Sequence, residues 1–295
     1  MDDEEFAERA WRLVLHRDPD PDTVGRLQRG EVSRARLLRE LFESREFERV
    51  EVFDDGLALA LAERLDAERG RPRELRAPAW IEERAIEIPW CLARYDGERR
   101  VLDIGSAFAE RAYVAGLRAL GAPELVTVDL AEPADVIADV RKLPFDDSSF
   151  DLTYCISTLE HVGRDNAVYD VDALREENGD EAALRELRRV ARRVIVSVPV
   201  GARDDQGWQI VRPPLDWIEV FERCGFLVYE DELYLRGDEG WRTATTAEAS
   251  AARYRDDGAG AVLLAELHPA SVGERARLAV RDVRHRDTPR RSTTA

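Results

Sequence analysis

The feature that most constrains this chain is an alternation that begins at Arg100. Short apolar runs rich in β-branched residues, at 101–104, 125–129, 151–156 and 193–198, alternate with segments patterned as helices. Strands separated by helix-length connections are not hairpin partners, since a parallel neighbour needs a crossover of about a dozen residues or more. The alternation therefore predicts a parallel sheet with helices on both faces. Ligands of such sheets gather at the carboxyl ends of the strands, so the residues that close each run carry the chemistry.

The first run, Val101-Leu102-Asp103-Ile104, turns at Gly105-Ser106, and a glycine there lets backbone approach a ligand closely. The second, Leu125-Val126-Thr127-Val128, ends in Asp129, 24 residues beyond Gly105. A carboxylate at that point can accept both hydroxyls of a ribose. It can equally cap the segment that follows it, Leu130-Ala131-Glu132.

A longer signal lies at Ala138-Asp139-Val140-Arg141-Lys142-Leu143-Pro144-Phe145-Asp146-Asp147-Ser148-Ser149-Phe150-Asp151. It runs through Leu152-Thr153-Tyr154-Cys155-Ile156 into Ser157-Thr158-Leu159-Glu160-His161-Val162. This stretch resembles the class I S-adenosylmethionine-dependent methyltransferases, whose third loop, fourth strand and following turn commonly read Asp-x-x-x-Leu-Pro-Phe-x-x-x-Ser-Phe-Asp and Leu-Glu-His-Val. The likeness continues through the helix at Ala183 to Val190, the strand Val194 to Pro199, and Trp217 to Phe226 with Cys224-Gly225-Phe226. It covers about two thirds of the chain. A narrower likeness is to methyltransferase-like proteins encoded among sugar and surface-polysaccharide enzymes. It rests on Glu160-His161-Val162-Gly163, Tyr169-Asp170, Gly179-Asp180 and Val198-Pro199-Val200-Gly201.

The resemblance implies a doubly wound, mostly parallel seven-stranded α/β sheet and S-adenosylmethionine as cofactor. Asp103 and Gly105, with Ser106, would form the first turn under the methionine moiety. Asp129, with Leu130, would hold the ribose; Asp139 and the Val140 backbone would read adenine; Ile156 would lie beside the sulfonium. The sequence departs from the family where its second and third glycines stand as Ala107 and Ala109, and where Ala191-Arg192-Arg193 replaces Pro-Gly-Gly.

Methyl transfer is an in-line displacement in which a protein positions two reactants and, for a hydroxyl acceptor, removes a proton. His161 is the candidate base, since imidazole titrates near neutral pH and this residue follows the fourth strand. Packing or capping the turn is its alternative role. Glu160 would orient His161 or face the cofactor's amino group. The expected acceptor is a sugar or surface-glycan precursor bearing a hydroxyl. Two rivals remain: a non-catalytic scaffold in which Ala107 and Ala109 close the cofactor loop, and a nicotinamide-dependent oxidoreductase, which the missing Gly-x-Gly-x-x-Gly disfavours.

Before this region the chain reads differently. Phe6, Ala10, Leu13 and Val14 recur at helical spacing up to Arg17-Asp18-Pro19-Asp20-Pro21. A second short helix ends at Gly30, Ser33 caps a third, and Ser44 opens a fourth turn through Phe47. These residues resemble a small helical domain of unknown function that accompanies bacterial surface-glycan enzymes and secreted repeat proteins. The matching stretches are His16-Arg17-Asp18-Pro19-Asp20-Pro21, Gly30-Glu31-Val32-Ser33-Arg34 and Phe42-Glu43-Ser44-Arg45-Glu46-Phe47. The organisation expected is a helical domain at 1–55, a helical connector at 56–99 interrupted by prolines, a methyltransferase-like domain at 100–270, and a disordered tail at 281–295. Residues 1–50 are the candidate surface for a protein partner.

Composition narrows the partners. Forty-four Lys and Arg against 61 Asp and Glu give a net charge of −17, and Lys142 is the only lysine. An excess of anions argues against sequence-general binding of nucleic acid or anionic membrane. The amino terminus is acidic where a secretory signal needs positive charge, and no run of 18 apolar residues follows, so a cytoplasmic location without membrane insertion is expected. Cys91, Cys155 and Cys224 lack metal-site spacing and read as reduced core residues. The acidic segment from Gly163 to Asp180 could take a divalent cation, but without tight ligand spacing it reads as a solvated loop. Trp90, Trp208 and Trp241 are candidates for stacking on a sugar face, with core packing the commoner role of tryptophan.

Overall fold

The computed structural model describes residues 3–14, 17–34, 36–37, 75–79, 82–109, 111–169, 174–255, 258–271 and 273–274. The chain divides into two compact units, Met1–Leu59 and Ala60–Ala295. The expected turn at Ser44–Phe47, residues 51–74 of the connector and the polar tail lie outside the described residues.

In the first unit, helix α1 (Asp3–Val14) and helix α2 (Thr23–Gln28) bury Ala7, Trp11, Leu27, Val32 and Leu37 against one another. Arg34 ties back to Asp3 at 2.7 Å and lies 5.0 Å over the Phe6 ring. Gly30 closes α2 with φ +68°, a left-handed turn that favours glycine.

The second unit opens with α3 (Arg84–Leu92), in which every residue from Ala85 to Leu92 is buried. The connector reading treated Pro89 as an interruption, but it sits inside this helix. A helix wrapped on all sides by protein gains enough from packing to carry a missing backbone donor.

The sheet follows in chain order. Strand β1 (Arg100–Ile104) leads to α4 (Arg111–Ala119), β2 (Glu124–Asp129), β3 (Val136–Ile137), β4 (Leu152–Ile156), α5 (Gly179–Val190) and β5 (Val194–Pro199). A hairpin of β6 (Asp204–Asp205) and β7 (Ile210–Val211) precedes α6 (Pro214–Arg223). Strand β8 (Phe226–Gly237), β9 (Gly240–Thr243), α7 (Thr246–Ala251) and β10 (Ala261–Pro269) complete the chain. The sheet order is β3-β2-β1-β4-β5-β10-β8-β9, parallel from β3 through β5 and antiparallel beyond. Strand β5 is buried at every position, as a strand covered on both faces should be.

Among the described residues the sheet has eight strands where seven were expected. The extra one, β9, arises because the twelve-residue β8 folds back at Gly237–Gly240 onto itself. Ala77 accepts a hydrogen bond from Trp241 N at 2.7 Å, so the preceding segment covers this edge. A Cβ on Gly240 would stand 2.3 Å from the Ala77 carbonyl, which makes glycine the residue this approach admits.

Candidate active site

The chain runs from β1 outward to β2 and β3 on one side and to β4 and β5 on the other. The reversal between β1 and β4 opens a crevice at the carboxyl ends of the strands. A cleft occupies that position, enclosing about 1080 Å³ of empty space including the part open to solvent, and Gly105, Asp129, Leu130, Asp139, Val140, Ile156 and His161 all line it. Asp103 and Ser106 do not line it.

On the β1–β2 side the walls are backbone and carboxylate. Gly105 takes φ +91°, and a Cβ there would fall 2.3 Å from the Thr158 hydroxyl, so both the turn and its neighbour require glycine. Asp129 closes β2 with Oδ2 accepting from Ala107 N at 2.9 Å and Oδ1 accepting from Leu130 N at 2.6 Å. A carboxylate offers about four acceptor positions, so Asp129 keeps acceptor capacity beside the N–H groups of Ala107, Leu130 and Ala131. No helix follows Asp129 directly, so it pins two loops and is not a helix cap. Ala107 and Ala109 keep negative φ: among the described non-glycine residues only Ser148 and Ser157 are positive. The alanines therefore impose no strain, and the cleft stays open beside them.

Asp139 follows β3. Partial burial opposes its charge, but Arg141 donates to Oδ1 at 2.9 Å and to Oδ2 at 2.5 Å and holds the carboxyl below the usual range. Arg141 also reaches the Leu174 carbonyl at 2.8 Å and Glu176 at 3.1 Å, so it fastens the following segment beside the cleft. Asp103 lies wholly buried in β1. Burial pushes its carboxyl up to about 6, against a short hydrogen bond donated by Tyr113, whose ring lines the cleft. Asp103 is thus buried beneath the turn at Gly105 and does not itself line the cleft.

The β4 side is built differently. Ile156 gives way to Ser157, held at φ +43°, a conformation that costs a non-glycine residue about 1–3 kcal/mol. Its hydroxyl donates to the Glu87 carboxylate at 3.0 Å. Glu87 is fully buried in α3 and ion-paired with Arg84, itself a cleft residue; burial raises its carboxyl. Glu160 is 2% exposed, its Oε2 has no hydrogen-bond partner, and burial followed by the neighbouring Glu87 charge raises it to about 8. His161 lies beside it, Nε2 3.8 Å from Glu160 Oε1. Burial lowers the imidazole to about 4, so it is neutral at pH 7. Its Nδ1 is 3.0 Å from the Trp208 carbonyl, and its ring stacks on Trp208 with centroids 5.2 Å apart.

Sequence reasoning found the carboxylates of the strand ends but missed Arg84, Glu87, Tyr113, Ser157 and Tyr169. Arg84 and Glu87 stand i,i+3 on a helix that read as connector, and only the topology brings that helix to the cleft. Of the three tryptophans proposed to stack on a sugar, Trp90 and Trp241 are buried, Trp90 under the Arg94 guanidinium at 3.2 Å. Trp208 alone is partly exposed, and its ring backs His161. In the acidic segment Asp165 pairs with Arg175 and Glu176 with Arg141; among the described residues no His, Cys, Asp and Glu side chains converge as a metal site. All three cysteines are buried and free. No described helix is long and apolar enough to cross a membrane.

Residues 102–194, from β1 to the start of β5, match a family model described as a methyltransferase domain. No curated protein matches the chain. Among solved structures, an S-adenosylmethionine-dependent methyltransferase from Methanosarcina mazei is similar at 11% identity and TM-score 0.39, covering 60% of this chain and 94% of that one. The 1,6-didemethyltoxoflavin-N1-methyltransferase of Burkholderia thailandensis, solved with bound 1,6-didemethyltoxoflavin and S-adenosylhomocysteine, is similar at 14% identity and TM-score 0.40, covering 59% and 73%. The YcgJ protein of Bacillus subtilis is similar at 15% identity and TM-score 0.39, covering 60% and 94%.

Proposed function

We propose that this chain is an S-adenosylmethionine-dependent methyltransferase that methylates a hydroxyl oxygen of a small acceptor, a sugar or glycan precursor. The observation that carries the reading is a single cleft, at the switch point of a sheet whose β1–β4 region matches a methyltransferase domain, lined by Gly105, Asp129 and Asp139 on one side and His161 on the other. Bound S-adenosylmethionine supplies a methyl group on a sulfonium whose sulfur keeps the C–S electron pair as the acceptor oxygen forms the new C–O bond.

The residues divide the remaining work. Asp129 accepts the ribose hydroxyls, Asp139 and the Val140 backbone read the adenine edge, and Ile156 presents an apolar wall where charge is lost. His161 takes the proton that leaves the acceptor oxygen, becoming imidazolium. Glu160 beside it, held toward its protonated form by burial, places Oε1 3.8 Å from Nε2. The oxygen acceptor is supported by a neutral imidazole in the cleft, since an alcohol must shed a proton as it is methylated. The glycan class is supported by the likeness of residues 1–50 and of Glu160–Gly163 to proteins of surface-polysaccharide clusters.

The test is isothermal titration with S-adenosylhomocysteine on the wild type and Asp129→Ala. Micromolar binding that disappears in the variant supports the site, and a wild type that does not bind overturns the reading in favour of a scaffold.

A further inference from the structure

The β6–β7 hairpin lies beyond the stretch matched to the methyltransferase domain, yet it makes the most specific contacts to His161. Its tip is held in place from two sides. Asp165 N donates to the Gly207 carbonyl at 3.0 Å, Arg164 pairs with Asp205 at 2.9 Å, and Gln206 N donates to Gln209 O at 3.1 Å across the turn. The tip is thus fastened to the residues that follow His161 directly. From there Trp208 presents its carbonyl to Nδ1 at 3.0 Å and its ring to the imidazole face, while the edge of Tyr254 packs behind it with centroids 6.0 Å apart. Tyr169 closes the opposite side edge-on at 5.5 Å, and Phe108 of the first loop lies 5.2 Å beyond Tyr169.

A carbonyl oxygen can only accept, so the Nδ1 facing Trp208 must carry a hydrogen. A neutral ring then has one tautomer, with the lone pair on Nε2. We propose that Trp208 is a positioning residue that locks His161 as its Nδ1–H tautomer, leaving Nε2 as the nitrogen that receives the acceptor's proton. The proposal rests on the methyltransferase reading for the use of that nitrogen, and the lock itself exists without any ligand.

The balance is simple. The acceptor O–H bond breaks toward Nε2, the oxygen keeps the pair that forms the bond to carbon, and the imidazolium is held by an N–H donated to the Trp208 carbonyl. The charged groups facing His161 are Glu160 from its own turn and Arg84 from α3, and the aromatic faces are Trp208 and Tyr169. Arg84 disfavours a cationic ring in the resting state, in keeping with a neutral imidazole before reaction.

The experiment is nitrogen–proton correlation spectroscopy of the ring nitrogens in the full chain without ligand, over pH 3 to 8. The chain has four histidines, and the signal lost in His161→Gln assigns the one of interest. The wild type should show Nδ1 protonated and Nε2 unprotonated at pH 7, titrating near pH 4. Trp208→Ala keeps the backbone carbonyl but strips the ring that stacks on the imidazole and seats the tip, so it should mix the tautomers and, through lost burial, move the titration up by at least one pH unit, and Trp208→Phe should restore most of the wild-type spectrum. Asp205→Asn, an exposed change that loosens the tip, should produce a smaller shift in the same direction. An Nε2–H tautomer in the wild type would overturn the lock, and an unchanged spectrum in Trp208→Ala would overturn the part of the Trp208 side chain in holding it. The two failures separate: loss of S-adenosylhomocysteine binding by the wild type overturns the methyltransferase reading, and an Nε2–H spectrum with binding intact overturns the lock alone.

Discussion

The two halves of the cleft are built on opposite electrostatic plans. The β1–β3 half is open: Asp129 and Asp139 stand at loop ends, their oxygens already touched by backbone N–H groups or Arg141 and still able to accept more. The β4 half is closed. Glu87 and Glu160 are buried, both are pushed toward the protonated form, and His161 is pushed toward the neutral form. The difference teaches that recognition and proton handling need different surroundings. A hydroxyl-binding carboxylate works best ionised and accessible, whereas a base must be unprotonated before reaction and aimed by a fixed tautomer.

The comparison can be broken most directly at His161. His161→Gln should lower kcat by roughly 10²–10⁴-fold, the range of a lost general base, and leave S-adenosylhomocysteine affinity within about twofold. Single-turnover assays with a panel of sugar acceptors and parallel titration calorimetry measure both. Equal losses in both quantities would merge the two halves into one.

Asp129→Ala should act on the other half, weakening S-adenosylhomocysteine by about 100-fold or more, because two hydroxyls lose charge-assisted partners worth roughly 1.5–3 kcal/mol each. Its effect on the melting temperature should be small, since the lost intramolecular contacts join only surface loops.

Glu160 sharpens the contrast through pH. Its folded value near 8 lies above the unfolded value near 4.5, so the native state binds the extra proton between those limits. Wild-type stability from this group therefore falls as pH rises from 4.5 to 8. Glu160→Gln removes that slope. Its melting temperature relative to wild type should rise across this window, reaching an advantage on the order of a few kcal/mol above pH 8 and none below pH 4.5. Thermal denaturation at pH 4.5, 6 and 8.5 reads the trend, and a flat difference would remove Glu160 from the buried cluster.

The smallest effect belongs to the first loop. Ala107→Gly and Ala109→Gly should change S-adenosylhomocysteine affinity by less than about threefold, because both residues already sit at φ values an L-residue adopts without strain. A gain of tenfold would show that the methyl groups do crowd the ligand.

Much of the β1–β3 half was legible in the sequence. Gly105, Asp129, Asp139 and Ile156 close strands or follow them at spacings that the sheet geometry converts into one rim. The β4 half was less so. His161 and Glu160 were marked by motif, but their chemistry depends on burial that a local pattern does not encode. Arg84 and Glu87 were hidden in a segment rich in Ala, Leu, Arg and Glu. Trp208 was singled out as a sugar platform and instead supports an imidazole.

The sequence by itself determined the alternation of strands and helices, the order in which chain reversals occur, and the carboxylates that end β2 and follow β3. Backbone propensity and side-chain period fix these locally, and crossover handedness and length leave few topologies. Only the tertiary structure decided that α3 returns to the cleft, that β8 gains the partner β9, and that a two-residue-stranded hairpin reaches His161. Those outcomes depend on contacts between residues 40 to 160 positions apart, such as Ser157 with Glu87, His161 with Trp208 and Leu75 with Tyr234. Burial and proton affinity are properties of such assembled surroundings, so the state of each titrating group is set where distant segments meet.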